Sequence, residues 1–393
     1  MADAKLRAWW WHKQGLDGHL TGKTAAEVLA ATGWARSVAG AGPYLTLFSR
    51  AGLGRAAVDA ELAAVEIHEL PSARGCTYLV PGADFALGLR VGQTFGQNEM
   101  KVARKLGVTD AEIDLLCEAV GSALQNGPQH PEALRLAVGD AARSLGPAGV
   151  KKGITTTLPL ALGAMQSAGT IRRIPCNGRL DQQRYMYALW KPNPLAQCKL
   201  TASGAFVELA RQYFGWTGGA SVAEFRWFSG LGVKAAAAAL VPLRLESHPE
   251  TTGDRLMLRE DFEAFEAFTP PKLPQYALVS SLDGLGQLRR DLASLLTEDD
   301  QARVFTGSRG LISDMPSHAI VDRGRIVGWW EYDPATASIA WMAFIKPDAA
   351  LQDAVNRTEA FIRDDLGDAR SFSLDSPKSR VPKIEALRQG QFA

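Results

Sequence analysis

The chain has 393 residues, 46% of them hydrophobic, enough to bury several cores and to divide into two to four domains. Its 43 basic and 42 acidic residues nearly cancel, so any charged surface is local, and no apolar run is long enough to span a bilayer. Cys76, Cys117, Cys176 and Cys198 are scattered without Cys-x-x-Cys spacing and the six histidines show no metal-ligand spacing, which argues against a structural zinc site and for a reducing cytoplasm.

The start, MADAKLRAWWWHK, lacks the continuous apolar core of a signal peptide, and Trp9-Trp10-Trp11 reads as the packing face of an N-terminal helix. Gly18 to Thr24 imitates a phosphate loop but is one residue short and follows no apolar strand. Thr24 with Glu27 is better read as a helix capping box. PYLTLFSRAG and LGRAAVDAELAAVEIHEL then read as two helices, and ARGCTYLVP as a strand.

From Lys151 to Leu200 the local balance changes sharply. Lys151, Lys152, Arg172, Arg173, Arg179, Arg184, Lys191 and Lys199 face a single acid, Asp181, a local charge of +7. Within this window TTTLPLALGAMQSAG reads as a helix ended by Gly169. TIRRIP and RYMYALW read as two strands with a turn at Cys176-Asn177-Gly178. A helix followed by a basic hairpin is the pattern of a winged-helix module, in which the hairpin rides the sugar-phosphate backbone.

Farther on, SGAFVELARQYFGW, SVAEFRWFSG and LGVKAAAAALVPL predict three short helices, with Ser221 and Glu224 as a capping box. RLES and RLMLR predict a hairpin around His248 to Asp254. Gly230-x-Gly232-x-x-Ala235 imitates a dinucleotide fingerprint but follows a helix where that fingerprint needs a strand. After the proline-rich joint TPPKLPQY, Arg289 to Leu296 reads as helical. HAIVDRGRIVGWWEYD reads as two strands turning at Arg323-Gly324, ASIAWMAFI as another strand, and the polar tail as a segment that wraps the surface or frays.

The expected fold is mainly α with small β-wings. It comprises three tandem winged-helix modules (1–92, 93–198 and 199–268) and a C-terminal α+β domain with its tail (275–393). The expected partner is double-stranded DNA, with no membrane, metal or nucleotide cofactor, for a monomer of the cytoplasm. The basic window supplies the phosphate contacts, and Arg323 and Arg325 at the second hairpin tip could add a further backbone contact.

The blocks Gly42 to Arg50, Ala73 to Pro81, Gly178 to Tyr187 with Gln182-Gln183, and Ser221 to Leu231 together resemble the AlkZ/YcaQ-like DNA glycosylases, as does the Val321 to Glu331 hairpin. The resemblance implies excision of alkylated or crosslinked purines, possible damage in the bound DNA, and Arg50 and Arg74 among the DNA contacts. It also implies a catalytic Gln-x-Gln or Gln-x-Asp motif just upstream of Pro43, which this chain lacks. Counting back without gaps reaches Thr32-Gly33-Trp34, and a shorter spacing reaches Arg36-Ser37-Val38. Two readings lead, beside a third, more distant one in which the winged helices mediate protein contacts and the basic window is incidental. In one, a glycosylase draws its polar groups from Thr32, Trp34, Arg36 or Ser37, or from Glu66, Glu69 or Tyr78. In the other, the chain is a DNA-binding protein without catalysis. On either reading Arg36 is expected to grip a flanking phosphate or to pair with Glu66 or Glu69, and Trp34 to pack in the core or stack on a base.

Overall fold

The computed structural model describes residues 2–182, 184–251, 254–305 and 313–391. Helix α1 (Ala2–Lys13) buries Trp9, Trp10 and Trp11, and the Trp9 indole donates to Gly218 O at 2.7 Å. Helix α2 (Ala25–Thr32) starts on the Thr24–Glu27 capping box and ends at Gly33, where strand β1 (Ala35–Arg36) begins. Proline at the first turn of α3 (Gly42–Ala51) satisfies a position that needs no N–H donor. Helix α4 (Arg55–Ala63) is shorter than its periodicity predicts. Val65 adopts a left-handed φ of 61°, and Ile67–Pro71 forms strand β2 against β3 (Thr77–Pro81). Pairing with a strand one tight turn away thus overrides the helical pattern at His68 and Glu69.

Helix α5 (Phe85–Lys105) leads to α6 (Asp110–Ala123), α7 (Pro131–Val138), α8 (Gly146–Val150) and α9 (Leu158–Ser167). These enclose a core of their own around Leu116, Val120 and Ala161. Strands β4 (Ile171–Pro175) and β5 (Tyr185–Leu189) form the expected antiparallel hairpin, with Arg173 opposite Tyr187 and Pro175 opposite Tyr185. The expected tight turn is instead a broad loop closed by Cys176 N donating to Arg184 O at 2.8 Å. The loop folds inward because Leu180 is buried in the first core and its N–H donates to the Tyr44 hydroxyl at 3.0 Å. Gln183 lies outside the described residues.

Helix α10 (Ala202–Thr217) is followed by β6 (Ala220–Ser221), α11 (Val222–Ser229) and α12 (Val233–Leu240), and the Ser221–Glu224 capping box forms as read. Strand β7 (Arg255–Leu256) pairs with β6, while the expected hairpin survives only as a bridge between Glu246 and Met257. Helix α13 (Arg259–Ala267) precedes β8 (Tyr276–Val279), which has no counterpart among the predicted strands, and short helices α14 (Gly284–Gln287) and α15 (Glu298–Phe305). Arg289 to Leu296 is helical only as a short 3-10 turn at Leu292–Leu295. Strands β9 (His318–Asp322), β10 (Arg325–Asp333) and β11 (Ser338–Ala343) complete a sheet of order β11-β10-β9-β8. Helix α16 (Ala349–Phe361) packs on it, and so does α17 (Pro377–Arg388). The tail therefore docks instead of fraying, and the buried Arg380 binds Asp368 at 2.7 and 2.9 Å. Ala35, Tyr44 and Leu79 share one core with Leu278, Ile320, Trp330 and Leu351, so the two ends of the chain are packed together.

Candidate nucleic-acid interface and active site

The β1-β3-β2 sheet puts Ala35 and Glu69 on either side of Leu79, and Ser37 leaves β1 with its N–H on Thr77 O at 3.1 Å. From there the Ser37 hydroxyl donates to Glu69 Oε1 at 2.5 Å. Both residues are buried, and Glu69 Oε2 has no hydrogen-bond partner. Burial pushes the Glu69 carboxyl above the usual range. The nearby Arg173 cation, the Ser37 hydrogen bond and the neighbouring Tyr185 hydroxyl oppose that shift without cancelling it. Burial, reinforced by the Glu69 charge, raises the Tyr185 phenol, which therefore stays a proton donor at neutral pH. The Arg173 guanidinium lies 4.7 Å over the Tyr185 ring. A carboxyl, two hydroxyls and a guanidinium thus converge where β1, β2 and the basic hairpin meet. Such a group can take a proton, orient a water and stabilise a nearby positive charge.

Beside it, His68 is fully buried with neither ring nitrogen partnered, edge-on to Trp190 at 5.1 Å. Burial, helped by Arg172 and Arg173, pushes its pKa down to about 3, so the ring is neutral. On the hairpin's outer side Arg172 and Lys191 line a cavity of about 590 Å³ with Phe85 and Trp190.

The four positions standing in for the family motif do not act as one group. The Thr32 hydroxyl bonds Val28 O at 2.9 Å inside its own helix. Trp34 packs in the core against Trp216 and donates to Asp84 at 2.9 Å, which keeps its ring inside the fold. Arg36 reaches Thr77 O at 2.9 Å and lies over Tyr78, and it pairs with neither Glu66 nor Glu69. Only Ser37 joins the Glu69 group.

The basic residues divide by what they already touch. Arg50 is buried and bidentate to Asp283 at 2.7 and 2.8 Å, which removes it from the surface a phosphate could reach. Arg74 lies 3.6 Å over the Trp227 ring. Arg179 is paired to Asp181 and donates to Leu366 O at 2.9 Å. At the second hairpin tip, Arg323 grips Asp322, Pro271 O and Lys272 O, and Arg325 grips Asp300. That tip rests on α1, since a Cβ on Gly324 would stand 2.0 Å from Arg7 O. It is therefore a packing element, contrary to the expected backbone contact.

The basic window behaves differently. Its one acid, Asp181, is taken by Arg179. Among the described residues Lys151, Lys152, Arg172, Arg173, Arg184, Lys191 and Lys199 form no salt bridge. Lys151, Lys152, Arg184, Lys191 and Lys199 are exposed, and Arg172, Arg173 and Gln182 are partly so.

A family model described as DNA glycosylase AlkZ-like matches residues 35–361. The chain belongs to the AlkZ-like DNA glycosylase family. The fold agrees: the solved Streptomyces sahachiroi DNA glycosylase AlkZ superposes with a TM-score of 0.69 at 18% identity, over 94% of this chain and 98% of that one. No curated protein matches the sequence. For this member of the AlkZ-like family, mainly helical with small antiparallel sheets, the helix–hairpin reading of 154–190 agrees with the structure. Glu69 was among the residues the sequence singled out, but the convergence of Tyr185 and Arg173 on it was not, because it depends on docking of the hairpin. Among the described residues no helix is long and apolar enough to cross a membrane. The reading that the histidines lack metal-ligand spacing needs correction, since His12, Asp17 and His19 come together.

Proposed function

We propose that this chain binds double-stranded DNA through the 151–200 window and hydrolyses the N-glycosidic bond of alkylated or crosslinked purines, with Glu69 as general base. The observation that carries DNA binding is a set of seven cations that form no salt bridge among the described residues, five of them exposed, in a window whose one acid is taken by Arg179. Lys151, Lys152 and Arg184 would meet phosphates, with Arg172 and Gln182 at the inner edge of the contact. We read the architecture as three winged-helix modules, 1–92, 93–198 and 199–268, followed by the 275–393 domain, acting as a monomer.

Excision forms a bond from water oxygen to C1′ as the C1′–N bond breaks. The proton lost by water goes to Glu69, and the bonding electrons neutralise a departing cationic base. An alkylated purine is already positively charged, so its departure needs little acid help. A carboxyl raised toward neutrality by burial is suited to accept that proton. Ser37 and Tyr185 orient it, and Arg173 holds a flanking phosphate. Oε2, the oxygen without a hydrogen-bond partner, is the one that would take the water.

One observation favours a second reading, a non-catalytic DNA binder: the chain has no Gln-x-Gln or Gln-x-Asp upstream of Pro43. The two readings part in a gel assay of purified protein on duplexes carrying alkylated purines or interstrand crosslinks, followed by alkali. Strand breaks at the lesion are the expected result. Retarded but intact DNA would establish the binder instead.

A further inference from the structure

From the geometry of the α1–α2 connection we infer a binding site for a zinc-class divalent cation, formed by His12, Asp17 and His19. His12 sits on the last turn of α1, and the loop after it turns back through two left-handed glycines, Gly15 at φ 66° and Gly18 at φ 86°. That path brings both imidazoles onto one carboxylate. His12 Nδ1 lies 2.7 Å from Asp17 Oδ2, and His19 Nδ1 contacts Asp17 Oδ1. One ligand atom from each of the three residues lies within 4.8 Å of the others.

The site is built and held from several sides. His12 packs on Trp9 and Phe268 at 5.6 Å, and its ring is 4.6 Å from that of His19. Loop bonds from Gly15 N to His12 O at 2.8 Å and from Leu16 N to Trp11 O at 3.1 Å fix the backbone under Asp17. The neighbouring lysines are committed elsewhere, Lys13 to Asp261 and Lys23 to Glu27, and the Asp17 carboxylate is met by the two imidazoles and by the His19 N–H at 3.4 Å.

Two nitrogens and one oxygen form a borderline donor set that suits zinc better than magnesium or calcium. With metal–ligand bonds of about 2.0–2.2 Å, tetrahedral coordination sets ligand atoms about 3.3–3.6 Å apart, so the carboxylate would back away from each ring by roughly 0.6–1.2 Å. Both histidine side chains are partly exposed, which permits that adjustment. Leu16, Asp17 and Gly18 also line a cavity of about 540 Å³. Bound metal would tie the end of α1 to the loop that enters α2, and this tie is independent of the proposed glycosylase chemistry.

The test uses full-length protein from metal-depleted medium, titrated with Zn²⁺ by calorimetry and with Co²⁺ by visible absorption. Expected are one saturable site, the intense d–d bands of tetrahedral Co²⁺, and a melting temperature raised by about 3–5 °C at roughly hundredfold Zn²⁺ over Kd. His19→Ala and Asp17→Asn should each lose all three signals. Because His19 lies toward solvent, His19→Ala should fold like the parent, and melting without metal checks this. Absence of saturable binding, or binding and cobalt bands unchanged in both variants, would overturn the assignment.

Discussion

A buried carboxyl with one oxygen unpartnered is costly, and Glu69 carries that cost beside Ser37 and Tyr185. An acid whose folded pKa is raised contributes stability below its unfolded pKa, 4.5 for a glutamate, and loses it as pH rises. Glu69→Gln is therefore expected to raise the melting temperature at pH 7 while lowering base excision by about 10²–10⁴-fold, the usual worth of a general base. Thermal unfolding and single-turnover excision measure the two effects. A variant that is both less stable and fully active would make Glu69 a structural residue. His68 has the opposite linkage. Its folded pKa near 3 lies below the ordinary 6.5, so between these values the unfolded chain binds a proton that the folded chain does not. Stability is therefore full above about pH 6.5 and falls as pH drops, by roughly 2 kcal/mol at pH 5. Buried His318 shifts the same way and adds to the loss. Denaturant unfolding at pH 7 and pH 5 should show a smaller difference for His68→Phe than for the parent. An equal difference would mean the ring finds a partner on protonation.

At the scale of elements, what could be read from sequence was what local chemistry dictates. The Thr24 and Ser221 capping boxes, the β4–β5 hairpin and the Arg323-Gly324 turn each rest on residues close in the chain. Elements that depend on distant partners were misread. Helical spacing runs through Glu69 in the sequence, but β3 claims that segment. The inward fold of the hairpin loop depends on Tyr44, 136 positions away from Leu180. Docking of α17 depends on Arg380 finding Asp368 and Tyr332 O. The site was half legible for the same reason. Ser37 and Glu69 could be named only through the family resemblance, Glu69 in a segment read as helix, whereas Tyr185 and Arg173 join them through the docked hairpin. That hairpin and α8 bear the next prediction. Replacing Lys151, Lys152 and Arg184 by Gln should weaken duplex binding and flatten its dependence on salt, by about 0.9 in log–log slope for each phosphate no longer neutralised. Affinity measured across a salt series reads this directly, and an unchanged slope would move the DNA elsewhere on the molecule.

Over the whole molecule, Arg50 shows how a residue can resemble a DNA contact and be a structural hub. It lies in one of the blocks that carry the family resemblance, yet its guanidinium binds both Asp283 oxygens, Gln14 Oε1 at 3.0 Å and Thr46 O at 3.2 Å. Gln14 in turn donates to Thr32 O and Trp216 O, each at 2.9 Å, and Asp283 caps α14 through Leu285 N at 2.8 Å. One buried network therefore joins the end of α1, α2, α3, α10 and the C-terminal region. Removing Arg50 strands the Asp283 carboxylate where water cannot reach it, a change that costs about 3–5 kcal/mol in buried pairs of this kind. Arg50→Ala is thus expected to lower unfolding free energy by that amount. DNA affinity and its salt slope should stay unchanged for the folded fraction. Adding Asp283→Asn to Arg50→Met removes the stranded charge and should recover much of the loss. Denaturant melts of the single and double variants, with DNA titrations at two salt concentrations, separate the two roles. An unaltered melt with a flattened salt slope would mean that Arg50 leaves Asp283 to grip a phosphate when DNA binds.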